Sequence, residues 1–216
     1  MRKQWFGDSR DYVKWSCVLR EAGEDFTVIY AVMLRPDSFN DVSLDSAVVK
    51  FFDQQKRFNA LETLFPGRFE VMDDLYEKKH AEAYFARLRA LISAKKFGNI
   101  LVFLDPDTGI EPLHSPKNEH LQIRDIESIC RVLHPGDKVV VYQHASRSAN
   151  WIEAISLRLK KVADDTNTEL GTPFYSPGVA KDVCFFTLTK NVEQISTSAT
   201  RSAPTRTAAL AHVTIT

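Results

Sequence analysis

Hydrophobic and polar positions follow two different periods along most of the chain, and their alternation predicts an α/β protein. Segments with a helical repeat of apolar residues, such as 9–21 and 80–96, are separated by short, continuously apolar runs, such as 26–34 and 99–104. A short run without polar residues is typical of a strand buried on both faces of a parallel sheet. The pattern therefore predicts a three-layer, Rossmann-like sheet with crossover helices.

The remaining elements follow from the same two periods. A His-Pro-Gly-Asp turn at 134–137 separates a predicted helix from a predicted strand. The further predicted helices are 44–64, 123–133 and 151–162, and the further predicted strands are 69–72, 138–142 and 183–188.

The composition changes near the C-terminus. From about residue 192 the chain is rich in Ser, Thr and Ala and short of large apolar side chains, so this stretch cannot supply a hydrophobic core. We therefore expect one folded domain over 1–191 and a disordered or weakly ordered tail over 192–216, and we place no function in the tail.

Charge and hydropathy exclude several classes of protein. Lys+Arg and Asp+Glu both number 28, so the chain lacks the basic field that captures nucleic acid or anionic lipid as a whole, although a local basic groove stays open as an alternative. No run approaches the roughly 20 apolar residues of a membrane span, and the first residues do not resemble a signal peptide. We expect a cytoplasmic protein with no membrane partner.

The three cysteines point to no metal site and no disulfide. Cys17, Cys130 and Cys184 are far apart in the sequence, each in an apolar or helical context, and none belongs to a Cys-x-x-Cys motif. Free cysteine is among the residues most often buried, so we expect three buried thiols.

The candidate chemistry lies in the loops that follow the predicted strands. In open parallel sheets, ligands bind outside the carboxyl ends of the strands, where loops and helix N-termini converge. This rule selects the loops at 35–38, 105–111 and 143–147.

The loop after the central strand is the most informative. Asp105, Asp107 and Glu111 place three carboxylates within seven residues, and Pro106 and Gly109 shape the turn between them. Two explanations stay open. Asp105 and Asp107 cap the following turn through side-chain to backbone hydrogen bonds, or they form a ligand site at the end of the strand.

The loop after the next strand begins with Gln143 and His144. Histidine titrates near neutral pH and can act as an acid, a base or a ligand. A single histidine is also often an ordinary hydrogen-bonded side chain, and that alternative stays open.

The N-terminal segment is the third candidate. It carries Asp8, Arg10, Asp11 and Lys14 at the start of a predicted helix that also contains Trp15. The i,i+3 pair of Asp11 and Lys14 is compatible with an ordinary solvated helix face. The alternative is that these charged side chains line a pocket that the N-terminal arm closes.

These motifs together resemble known families. Gly-Asp-Ser-Arg-Asp-Tyr-Val-Lys-Trp followed by a helix resembles the Gly-Asn-His-Ala-Asp-Val-Leu-Lys-His segment of bacterial ribosomal RNA adenine-N6 methyltransferases, and strand-Asp-Pro-Asp is similar to their strand-Asp-Pro-Pro-Tyr. Most of 1–190 resembles a group of prokaryotic and phage-borne proteins. These open with Tyr-Phe-Gly-Asp-x-x-Asp-Tyr-x-Lys and carry Phe-Leu-Asp-Pro-Asp-x-Gly and Gln-His. That second resemblance does not indicate which activity the protein has.

The methyltransferase resemblance implies an enzyme that uses S-adenosylmethionine on an adenine amino group of a nucleic acid or nucleotide. Asp105 would accept a hydrogen bond from the amino group, with Lys14 and His144 as further catalytic candidates. The substrate-binding candidates are Asp8, Arg10, Asp11, Pro106, Asp107 and Gln143. The cofactor-binding candidates are Arg35 and Asp37.

The sequence departs from the methyltransferase pattern in ways that keep two alternatives open. Asp107 and Thr108 replace the second proline and the aromatic residue, and the chain contains no Gly-x-Gly loop for a cofactor. One alternative is a metal-dependent phosphohydrolase or nuclease with magnesium on Asp105, Asp107 and Glu111. The other is a catalytically silent Rossmann-like binding protein.

Overall fold

The computed structural model describes most of the predicted domain. The described residues are 9–33, 63–72, 74, 76–95, 98–113, 120–146 and 148–192. The candidate residues Asp8, Arg35 and Asp37 lie outside them, as do nearly all of the predicted helix at 44–64 and the predicted tail beyond residue 192.

Four α-helices lie within the described residues, and all four were predicted from apolar periodicity. They are α1 (Ser9–Ala22), α2 (Ala81–Ala94), α3 (Ile123–Val132) and α4 (Trp151–Thr166). A short 3-10 turn at Lys78–His80 leads into α2. The helix α4 extends four residues beyond its predicted end and stops at Asn167, whose backbone is left-handed (φ 52°).

Six strands in the described ranges form one sheet, and five of them were predicted. They are β1 (Phe26–Val32), β2 (Phe69–Met72), β3 (Asn99–Asp105), β4 (Lys138–His144), β5 (Thr168–Leu170) and β6 (Val183–Lys190). The order across the sheet is β2-β1-β3-β4-β6-β5. The strand β5 was missed because three residues with one buried side chain carry no detectable period.

The sheet is parallel from β2 to β4 and then changes direction. The strand β1 pairs in parallel with both β2 and β3, and β3 pairs in parallel with β4. The strand β6 runs antiparallel to both of its neighbours, β4 and β5. The amino end of β6 therefore lies beside the carboxyl end of β4, where Val183 faces His144.

Helices cover both faces of the sheet, which confirms the three-layer arrangement. Alternate side chains of the central strands point to opposite faces, as the two-residue period of a strand requires. One face packs against α2, α3 and α4, and the opposite face packs against α1. Strands buried on both faces explain why their sequences are continuously apolar rather than alternating.

The cysteines are buried, as predicted. Burial raises the pKa of all three thiols, Cys17, Cys130 and Cys184, to about 12, so each stays protonated at neutral pH. No helix in the described part of the chain is long and apolar enough to cross a membrane.

Candidate functional site

A buried ionic cluster lies between α1 and the carboxyl end of β3. The ammonium of Lys14 is 2.9 Å from Oδ2 of Asp105 and 3.0 Å from Oδ1 of Asp11. The side chains of Lys14 and Asp105 are only 4% and 2% exposed. Two residues that are 91 positions apart in the sequence thus form a buried ion pair, and one turn of α1 contributes the third charge.

Aromatic rings surround this cluster and orient Asp105. The hydroxyl of Tyr30 on β1 donates a hydrogen bond of 2.6 Å to Asp105 Oδ2, the same oxygen that Lys14 contacts. The Tyr30 ring stacks on Phe103, and the edge of Trp15 packs against it. The Lys14 ammonium lies 5.4 Å from the centroid of the Tyr142 ring. The Oδ1 oxygen of Asp105 receives neither of these two hydrogen bonds.

The charge states in the cluster follow from its electrostatics. Burial alone would lower the pKa of Lys14, but the carboxylates of Asp105 and Asp11 outweigh burial and raise it above the ordinary value. Burial and the adjacent Asp105 carboxylate raise the pKa of Tyr30 well above its ordinary value. At neutral pH, Lys14 is therefore an ammonium and Tyr30 a neutral phenol, and both donate hydrogen bonds to Asp105.

The fold places the cluster where the sheet changes winding direction. From β1 the chain builds outward to β2, and it then crosses back to the other side of β1 to form β3. The carboxyl ends of β1 and β3 lie side by side, with Val32 paired to Asp105. Ligands of open α/β sheets bind at such a switch point. The structure thus brings Lys14, Asp11 and Asp105, three of the candidates selected from the sequence, into direct contact.

A second charged group lies at the same edge of the sheet. The guanidinium of Arg10 donates from Nη2 (2.6 Å) and Nε (3.1 Å) to Oδ2 of Asp182, and His144 Nε2 is 3.7 Å from that oxygen. Hydrogen bonding from Arg10 lowers the pKa of Asp182 below its ordinary value. All three side chains are about one third exposed, so this group lies at the surface beside the buried cluster.

Gln143 braces the loop that follows β3. Its Oε1 accepts a 2.7 Å hydrogen bond from the backbone of Ile110, and its Nε2 donates one of 2.6 Å to the carbonyl of His144. Gly109, with φ of 90°, leaves the space for this contact, because a Cβ there would lie 2.8 Å from the Gln143 carboxamide. The packing thus accounts for both polar groups of Gln143 within the protein.

The other carboxylates of the loop point to separate partners. Glu111 accepts a 3.2 Å hydrogen bond from the backbone of Ile123 and lies 3.8 Å from Arg158 Nη2. The side chain of Asp107 is half-buried. Within the described residues, no three His, Cys, Asp or Glu side chains are arranged to hold a metal ion. The geometry therefore does not support the magnesium alternative on Asp105, Asp107 and Glu111.

One further carboxylate at this edge was missed by the sequence analysis. Asp74 lies two residues beyond β2, and its Oδ1 accepts a 2.6 Å hydrogen bond from Arg87. Its Oδ2 is buried and has no hydrogen-bond partner among the residues that the structure describes. A carboxylate that binds ribose hydroxyls is a usual component of Rossmann-like nucleotide sites, so this unpartnered oxygen fits a nucleoside cofactor. The signal was available in the Asp73-Asp74 pair that follows a short strand.

Asp182 was also missed, and the reason is the direction of β6. Sequence analysis searched the residues after each strand, because parallel strands present their carboxyl ends to the ligand. An antiparallel strand presents its amino end instead, so Asp182, which precedes β6, joins His144 at the site.

Comparisons with known proteins give structural neighbours only. No protein-family model and no curated protein sequence matches the chain. Among solved structures, a protein assigned as a methyltransferase from Thermobifida fusca is 11% identical, with a TM-score of 0.42, over 85% of this chain and 80% of that one. The CurJ carbon methyltransferase is 11% identical, with a TM-score of 0.39, over 86% and 54% of the two chains. A protein assigned as an rRNA methylase from Clostridium thermocellum is 10% identical, with a TM-score of 0.39, over 86% and 98%.

The fold assignment rests on the sheet itself. A parallel sheet with its switch point between β1 and β3, covered by helices on both faces, is a doubly wound Rossmann-like arrangement. The strand β6 lies between β4 and β5 and is antiparallel to both, so the sheet is mixed at that end. The chain therefore has a three-layer, Rossmann-like α/β fold.

Proposed function

We propose that this protein is a methyltransferase-like enzyme that acts on the exocyclic amino group of adenine in a nucleic acid or nucleotide. The observation that carries the proposal is the position of Asp105, a buried carboxylate at the sheet's switch point with one oxygen held by Lys14 and Tyr30. A carboxylate fixed in this way is suited to accept a hydrogen bond from a substrate amino group.

In this proposal Asp105 orients the amino nitrogen of the substrate. An amino N–H that donates to Oδ1 of Asp105 holds the nitrogen lone pair in one direction, which is the positioning part of catalysis. Because Lys14 and Tyr30 both donate to Oδ2, the carboxylate cannot rotate without losing two buried hydrogen bonds. Lys14 and Tyr30 are thus positioning residues, and Asp105 is the catalytic candidate.

The methyl donor proposed for the reaction is S-adenosylmethionine, which supplies an electrophilic methyl group when bound. Asp74, with its unpartnered Oδ2, would hold the ribose hydroxyls at the end of β2. The strands β2 and β3 flank β1, so their ends lie about 10 Å apart, a distance that a nucleoside spans. Arg35 and Asp37 stay as candidate cofactor ligands from the sequence, outside the described residues.

Ligand binding is the first test of this proposal. We expect S-adenosylhomocysteine and S-adenosylmethionine to raise the melting temperature, because a ligand that binds only the native state stabilises it. Magnesium alone should leave it unchanged. Stabilisation by magnesium but not by either nucleoside would contradict the proposal and favour the hydrolase alternative, and no response to any of them would favour a silent binding protein.

The catalytic role of Asp105 is tested by Asp105→Asn. We expect loss of methyl transfer to adenine-containing oligonucleotides by at least about 100-fold, since positioning and hydrogen bonding of this kind contribute such factors. Binding of S-adenosylhomocysteine, measured by calorimetry, should persist and thereby show that the variant is folded. Asp164→Asn, which removes an exposed carboxylate of α4, serves as the matched comparison and should keep the wild-type rate. Activity of Asp105→Asn near the wild-type level would contradict the assignment.

A further inference from the structure

A second group of polar side chains lies at the start of α3, on the sheet face opposite to α1. It consists of Tyr76, Gln122 and Asp125, each less than one tenth exposed. Oε1 of Gln122 and Oδ2 of Asp125 are buried, and no group in the described part of the chain forms a hydrogen bond with either oxygen. Most buried polar atoms in proteins are hydrogen-bonded, so two unpartnered oxygens at one helix end require an explanation.

Helix capping explains only part of this arrangement. The backbone N–H of Gln122 lies near enough to the Asp125 carboxylate to lower its pKa, as at the start of many helices. The side chain of Gln122, at the N-cap position, makes no capping bond. One carboxylate oxygen and one amide oxygen are therefore not used by the helix.

Three carboxylates lie near one another here, and Asp125 is the one that forms no ion pair with a described residue. Its neighbours Glu111 and Glu82 have their own partners, Arg158 at 3.8 Å and Arg89 at 2.6 Å. Arg124 lies near enough to influence Asp125, but no described cation forms an ion pair with Asp125 within 4.0 Å. Burial raises the pKa of Asp125 to about 6, so the carboxylate is mostly ionised at pH 7.

We propose that Tyr76, Gln122 and Asp125 form a binding site for a small molecule with a guanidinium or primary ammonium group. Two buried acceptor oxygens, one of them charged, match a cationic group with several N–H donors. The Tyr76 hydroxyl, which donates to the carbonyl of His120 at 3.4 Å, closes one side of the site. Glu111 lies beside the group, since its carboxylate raises the pKa of both Tyr76 and Asp125. This site does not depend on the proposed methyl transfer.

The test measures the melting temperature with agmatine, a small guanidinium compound, at millimolar concentration and pH 7.5. Tetramethylammonium at equal ionic strength is the control cation, because it has no N–H donor. We expect agmatine to raise the melting temperature of the wild type by at least about 2 °C, and tetramethylammonium to have no effect. An equal response to both cations, or to neither, would overturn the proposal.

Two variants separate binding from folding. Asp125→Asn keeps an acceptor for the Gln122 backbone but removes the charge, and Gln122→Met removes the unpartnered amide. Without agmatine, both should melt at or above the wild-type temperature, by up to about 2–4 °C, because one removes an uncompensated buried charge and the other an unpartnered buried amide. The agmatine response should vanish in Asp125→Asn and fall by at least half in Gln122→Met.

The matched control is Asp164→Asn, which removes an exposed carboxylate from α4. It should keep the full agmatine response. If Asp125→Asn responded to agmatine as the wild type does, the site would be wrong. A lower melting temperature for Asp125→Asn, with no agmatine effect in the wild type, would show that the carboxylate is only a helix cap, which also overturns the proposal.

Discussion

Lys14 is the cation on which the buried cluster at the end of β3 depends. It contacts two carboxylates, and its removal leaves Asp105 and Asp11 close together without a counter-charge. Breaking a buried ion pair by removing one partner costs about 3–5 kcal/mol. We therefore expect Lys14→Met to lower the free energy of unfolding by about that amount in urea denaturation.

The double variant Lys14→Met/Asp105→Asn is the control for this expectation. It removes one cation and one carboxylate together, so it should be more stable than Lys14→Met alone, although it carries one more substitution. If the loss in the double variant equalled the sum of the losses measured for Lys14→Met and Asp105→Asn separately, the two side chains would not interact energetically.

At the residue scale, the sequence was informative where spacing along one element sets the contact. Asp11 and Lys14 lie one helical turn apart, and Asp105 ends an apolar strand, so all three were expected near the site. Tyr30 was not selected as a site residue, because a tyrosine within an apolar strand is expected to be a core residue. Its role depends on the register that pairs Tyr30 with Phe103, two residues before Asp105, which sequence pattern does not determine.

At the scale of elements, the loop from β3 to α3 depends on Gly109. Its φ of 90° is unfavourable for any residue with a side chain, and a Cβ would also meet the Gln143 carboxamide at 2.8 Å. Gly98 offers a matched comparison, since its φ is 81° but nothing lies within 4 Å of its Cβ position.

These two glycines separate backbone strain from steric conflict. Gly98→Ala should cost about 1 kcal/mol of unfolding free energy from strain alone. Gly109→Ala should cost about 2–4 kcal/mol, because displacing Gln143 adds an overpacking penalty. Urea denaturation of both variants measures the difference. Equal losses of unfolding free energy would show that contact with the Gln143 carboxamide adds no penalty at Gly109.

The start of α3 makes stability depend on pH. The folded-state pKa of Asp125 is about 6, above its ordinary value of 3.8, so the native state binds a proton more readily than the unfolded chain. Asp125 therefore reduces stability above pH 6, and this cost is relieved as the pH falls toward 4. The stability gain of Asp125→Asn over wild type should shrink between pH 7.5 and pH 5, as thermal melts at both values would show. A constant difference would contradict the raised pKa.

Most helices and strands were predictable because each has a period of its own. The amphipathic α3 and the continuously apolar β3 and β4 were predicted to within about two residues. The direction of β6 was not predictable, because an apolar run has the same appearance in either orientation. Because the direction of β6 was unknown, Asp182 was not selected as a candidate site residue.

At the scale of the whole molecule, the centre of the sheet should be its most stable part. The strands β3 and β4 are buried on both faces and paired on both sides, whereas β2 and β5 are short strands at the ends of the sheet as described. Hydrogen exchange measured by NMR or mass spectrometry should therefore be slowest in Leu101–Leu104 and Val139–Val141 and faster in Thr168–Leu170. Similar protection in β5 and β3 would contradict this ordering.

The contacts of α1 with residues that are distant in the sequence also have a consequence for synthesis on the ribosome. The helix ends near the beginning of the chain, yet its contacts are with Asp105, 91 residues later than Lys14, and with Asp182, 172 residues later than Arg10. At about 5–20 residues per second, translation from Arg10 to Asp182 takes roughly 10–30 s. During that time Arg10 is without Asp182, although Trp15 can already pack against Tyr30 and Phe103. The contacts of α1 are therefore completed only after most of the sheet has been made.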